Sequence, residues 1–186
     1  MTCTRNVGVA LSIGLVLSLS AGCGHLIYPS GTYSGRVVDA DTGQPIAGAA
    51  VIAAWTRDIP VAPHMAEQDW DAYETVSNAD GEFTIPHRTH FTWFGWIEEP
   101  TLIAFYPPFA PGYLGEGDRA DQGPPGAPLT IRLKRLTDKK ERVLNAGRPV
   151  GTDGLPAKKI PNLLRLIDDE RRELGLEPYA APQSKP

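Results

Sequence analysis

Four histidines are present, and only His87 and His90 lie close together. Two histidines three apart can hold one metal on a helix turn or tight loop, given a third ligand. His64 or Glu98 is the available third ligand. Pro86 precedes the pair and no HExxH helix pattern exists, so the residues read as loop histidines, with no metal expected. A small metal-dependent hydrolase, or an enzyme accessory, using the His87/His90 loop is the enzymatic alternative. The next segment, Phe91-Thr-Trp-Phe-Gly-Trp96, is dense in aromatic rings. Such rings stack on sugars or anchor protein partners, because they bury much area at low entropic cost. Trp93 and Trp96, joined by Trp70, His87 and His90, form the candidate binding patch; core packing explains the same rings without a ligand. Glu116, Asp118 and Asp121 do not have EF-hand spacing and read as solvated charge. There is no Gly-x-Ser-x-Gly elbow and no phosphate-cradling loop. Nothing supports a carboxylate pair for glycoside hydrolysis. No catalytic residue and no cofactor are expected.

The two cysteines, Cys3 and Cys23, are accounted for at the N-terminus. Arg5 precedes an apolar run from Val7 to Leu19, and small residues follow, the pattern of a secretory signal peptide. The run is shorter than the roughly 20 apolar residues of a spanning helix. Its end, Leu19-Ser-Ala-Gly-Cys23, resembles the bacterial lipobox, with Ser20 where leucine is usual. The resemblance implies cleavage after Gly22, acylation of the Cys23 thiol and acylation of the new amino terminus. Cys3 would leave with the peptide, so the mature chain would hold no free thiol. Gly24, where aspartate would favour the inner membrane, leans towards the outer membrane of a Gram-negative envelope. Plain secretion is the competing reading.

The elements that must position these groups are read from a chain of 186 residues, with 19 glycines and 18 prolines. A net charge of −4 argues against nucleic acid as a partner. Residues 23–32 read as a tether. From Tyr33 the pattern is β, with Ala49, Val51, Ala53 and Trp55 on one face. The segments 73–77 and 82–85 flank Asn78-Ala-Asp-Gly81, which predicts a hairpin with Phe83 and Ile85 inward. Leu129, Ile131 and Leu133 alternate on a buried face. Arg57 to Asp71 reads as a long insertion. Residues 107–128, rich in proline and glycine, predict a loop without strand or helix. Residues 137–159 read as a linker. Pro161 and Gly175 bracket a predicted helix whose apolar face holds Ile160, Leu163, Leu164, Ile167 and Leu174. So short a helix must dock, on its own sandwich or on a partner. Asp168 and Arg172 are spaced for an i,i+4 pair. A disordered tail is expected at the end.

Several segments carry a family resemblance. Gly35-Arg-Val-Val-Asp39, Thr42-Gly-Gln-Pro-Ile46, Gly48-Ala-Ala-Val51 and Thr75-Val-Ser-Asn-Ala-Asp-Gly-Glu-Phe83 resemble the carboxypeptidase regulatory-like domain, a transthyretin-like (prealbumin-like) fold. The resemblance implies an antiparallel transthyretin-like β-sandwich over 33–136; with the long loops and the C-terminal α-helix read in 160–186, the expected fold class is mainly β. It departs from the family at the 57–71 insertion, the Pro/Gly-rich loop and the helix. It implies an accessory or binding role rather than a reaction. The expectation is thus a non-catalytic lipoprotein of the cell envelope, held at the membrane by its N-terminal lipid, with an envelope protein or a glycan as partner. A polysaccharide-binding module built on the tryptophans is the alternative.

Overall fold

The computed structural model describes residues 27–179. The signal segment, Cys3, Cys23 and the tail beyond Tyr179 lie outside the described residues. Among the described residues there are ten strands: β1 (Ile27–Ser30), β2 (Tyr33–Asp39), β3 (Ala50–Val61), β4 (His64–Val76), β5 (Glu82–Ile85), β6 (Arg88–Phe91), β7 (Trp96–Ile97), β8 (Thr101–Phe105), β9 (Gly112–Leu114) and β10 (Leu129–Leu133). The helices are α1 (Glu116–Ala120), α2 (Lys139–Asn145) and α3 (Pro161–Leu174).

The chain is mainly β, and its sheets are largely antiparallel. A small sheet has the order β10-β2-β5 and a larger one the order β4-β3-β8-β9, with β7 also on β3. One pair departs from the antiparallel expectation: β10 runs parallel to β2. Alternation along the strands builds a shared core. Val37, Phe83, Ile85, Leu129, Ile131 and Leu133 of the small sheet meet Val51, Ala53, Trp55, Leu102, Ala104 and Leu114 of the large one. The other face of β3 carries Ala50, Ile52 and Ala54. There α3 lays down Leu163, Leu166 and Ile167, so the helix docks on its own chain. Pro161 opens α3 and Gly175, at φ 76°, closes it. Asp169, not Asp168, makes the helix ion pairs, with Arg165 and Arg172.

Five local expectations are corrected. The segment 57–71 is not an interruption: β3 and β4 continue through it as one long hairpin, paired out to Val61 and His64. Beyond Asp58, β3 has only β4 beside it, and Pro60 sits on this edge, where the missing N–H costs no ladder bond. Asn78–Gly81 does not close a hairpin, because β4 pairs with β3 whereas β5 pairs with β2. It carries the chain from one sheet to the other. Residues 107–128 hold β9 and α1, both in the proline-free stretch between Pro111 and Pro124. The tether is structured from Ile27, where β1 pairs with β6, and the linker contains α2 and a 3₁₀ turn, Ala157–Lys159.

Candidate functional site

The proposed patch residues separate into two environments. His90 lies on the inward face of β6, opposite Tyr28 of β1. It is buried, and its ring centroid is 4.7 Å from that of Trp55. Its Nδ1 is 3.7 Å from Asp71 Oδ2. Burial holds its pKa below the ordinary imidazole value, with Arg88 and Lys159 acting in the same direction against the attraction of Asp71. His90 is therefore neutral at pH 7, and it is Lys159 that donates to Asp71, at 2.8 Å. His90 Nε2 and Trp55 Nε1 have no hydrogen-bond partner. His87 is exposed and contacts Thr89 Oγ1 at 3.3 Å. The two histidines do not converge, since residues three apart along extended chain point to opposite sides. His64 lies at the far hairpin tip. Among the described residues, no group of three or more His, Cys, Asp or Glu is placed to hold a metal.

Trp70 also leaves the patch. The β3–β4 register shifts between Trp55 and Thr56, and Trp70 is the extra residue of the resulting bulge. It is half-buried against the core, with the Arg57 guanidinium 4.3 Å above its ring.

Trp93 and Trp96 are held outward. Trp93 is 81% exposed and Trp96 46%, with Phe91 at 62% and Phe94 at 47%. Every exposed Trp and Phe among the described residues falls in this one stretch. The turn that displays them is built, not loose. Thr92 is buried; its Oγ1 donates to Phe94 O at 2.7 Å and accepts from Phe94 N–H at 3.3 Å. Gly95 has φ +77°, and a Cβ there would stand 2.2 Å from Asp58 O. Glycine thus lets the turn close against β3, and the buried Ile97 pins its far end.

A cleft of about 570 Å³ was not apparent from the sequence. Tyr33, Glu99 and Arg119 line it with the Pro/Gly segment 123–127. Tyr33 donates to Glu99 Oε2 at 2.6 Å, and Arg119 donates to the same oxygen at 3.3 Å and to Leu114 O at 3.2 Å. Burial and the Glu99 carboxylate both push the Tyr33 phenol up. These groups satisfy one another, which makes the trio a clasp for α1 rather than a set of groups free to react. No local pattern links residues 33, 99 and 119, so no motif pointed to it.

No family model matches the chain, and no curated protein or solved structure matches it.

Proposed function

We propose that the chain is a cell-envelope lipoprotein whose β domain, a transthyretin-like sandwich of the carboxypeptidase regulatory-like kind, is a non-catalytic interaction module at the membrane surface. The observation that carries the anchor is the sequence from Arg5 to Cys23: a basic start, a short apolar run and small residues ending in a thiol. Several acyl chains on one residue anchor stably, since each buried methylene adds about 0.8 kcal/mol. Two observations support an interaction role. The charged groups of the Tyr33–Glu99–Arg119 clasp and the Lys159–Asp71 pair are committed to structural partners. The aromatic rings at residues 91–96 face solvent on a fixed turn. Mass spectrometry of the mature amino terminus tests the anchor. The expected species begins at acylated Cys23, and Cys23→Ser moves the protein to the soluble fraction. An unmodified start beyond residue 23 refutes it.

A further inference from the structure

The aromatic turn follows β6, the partner of β1, and β1 is the strand into which the chain from Cys23 leads. In the β1–β6 pair, Ile27 stands directly opposite Phe91, while Tyr28 opposes the inward His90. Ile27 is 60% exposed and Phe91 62%, so the two side chains form a cross-strand apolar pair on the outer side. Phe91 then leads into Trp93, Phe94 and Trp96. Cys23 is four residues before Ile27. Fully extended chain covers at most about 3.6 Å per residue, so Cys23 lies no more than about 14 Å from the start of β1. Whatever holds Cys23 therefore holds this turn at close range.

The chemistry of the turn fits a lipid surface. Residues 91–97 carry no charge, and an exposed apolar cluster of this kind marks an interaction site. Tryptophan is favoured at the headgroup level of a bilayer, where one side of the indole is apolar and its N–H is wet. The turn is preorganised by Thr92 and Gly95, so displaying the rings needs no rearrangement on contact.

We infer that the Phe91–Trp96 turn, with Ile27, is a second membrane contact that inserts its rings into the interface of the bilayer holding the Cys23 lipid. This rests on the lipoprotein reading. The turn fixes the orientation of the domain, with β1, β6 and β7 towards the membrane. Because the contact is apolar, it does not depend on anionic lipid or low salt.

The test uses the acylated protein reconstituted in phosphatidylcholine vesicles with brominated acyl chains, which quench only inserted indoles. Trp55 is buried and Trp70 half-buried, so Trp93 and Trp96 are the reporters. The expected result is quenching of up to about half of the emission, unchanged in high salt, and its loss in Trp93→Phe/Trp96→Phe, which keeps two apolar rings at the interface. Circular dichroism verifies that the variant folds. Acylated protein whose emission is not quenched overturns the inference and leaves the lipoprotein reading standing. So does quenching that survives in the double variant. Unquenched rings whose emission instead shifts with an added soluble glycan assign the turn to sugar. A preparation whose Cys23 carries no lipid by mass spectrometry overturns the anchor, and this inference with it.

Discussion

Glu74 is the residue whose removal tests most directly how the helix is held on the sheet. The first turn of α3 has no cap of its own: Ile160 offers no side-chain acceptor, and Pro161 has no N–H. The remaining donors can be followed one at a time. Ile160 N–H reaches Ala157 O, and Leu164 N–H reaches Ile160 O as the first helical bond. The donors left over are the N–H groups of Asn162 and Leu163. Both go to the carboxylate of Glu74, 88 and 89 residues away on β4, at 2.8 and 2.7 Å. The Asn162 side chain adds a third bond at 2.9 Å. Glu74 thus caps a helix it does not belong to, with its negative charge at the positive end of the helix dipole. Loss of a capping acceptor costs about 1 kcal/mol, and charged acceptors and the dipole add to this, so Glu74→Ala should cost about 2–3 kcal/mol. For a domain of this size that lowers Tm by about 5–10 °C. Glu74→Gln, which keeps one carbonyl oxygen and loses the charge, should fall between wild type and alanine. Urea denaturation monitored by circular dichroism measures both. A Glu74→Ala variant within about 0.5 kcal/mol of wild type, at unchanged m, would show that water replaces the carboxylate and that the cap does not hold the helix.

Two further perturbations probe the interior. Arg142 of α2 donates two bonds of 2.8 Å to the buried Glu170 of α3 and a third, at 2.9 Å, to Glu173. Arg142→Ala strands the Glu170 carboxylate and should cost about 2–3 kcal/mol in urea denaturation, reduced from a fully buried pair because one edge of the guanidinium meets solvent. His90 provides a pH signature. Unfolded, its imidazole titrates near 6.5, and in the fold burial holds it lower. Between those two values the unfolded chain binds the extra proton. His90's contribution is therefore complete above about pH 6.5, and stability falls as pH drops from there to the folded pKa. His90→Phe should flatten that interval in pH-dependent thermal melts, while an unchanged slope would assign it to another group.

What could be read locally and what could not divide along a physical line. Leu129, Ile131 and Leu133 alternate because a single strand writes its own period of two, and Pro161 and Gly175 mark α3 because helix ends have backbone requirements of their own. Phe83 and Ile85 follow the same rule. The errors lie where a tertiary partner decides. Pro60 signals a break to any local reading, yet β3 passes through it because its outer edge has no neighbour there to bond. Asn78-Ala-Asp-Gly81 has the composition of a hairpin turn, and only the pairing of β5 with β2 shows that it bridges two sheets. The Glu74 cap, the Arg142–Glu170 pair and the Tyr33–Glu99 clasp join residues 88, 28 and 66 apart, where no periodicity operates. At the candidate site, residue type singled out the five patch residues together. Strand phase then separated them, turning His90 inward and leaving Trp93 and Trp96 in solvent.

The helix also determines which surfaces remain for a partner. A β domain ordinarily offers a sheet face, but here β3 is covered on both sides, by the small sheet across one core and by α3 across the other. The outer face of the small sheet carries Arg36, Glu82, Thr84 and Arg132, with Arg36 bonded to Glu82 at 2.7 Å, which makes it a solvated surface. Other exposed apolar side chains, among them Val61 and Met65 at the β3–β4 tip, the neighbours Val143 and Leu144, and Val150, are aliphatic and scattered, and such residues on a surface are ordinary. The exposed Trp and Phe rings, by contrast, are gathered after β6, the partner of the strand that Ile27 opens. If α3 served to bind a partner, its apolar face would be free. With that face spent on Ile52, Ile103 and Phe105, the turn holds every exposed Trp and Phe among the described residues, which makes it the densest aromatic surface they offer a partner.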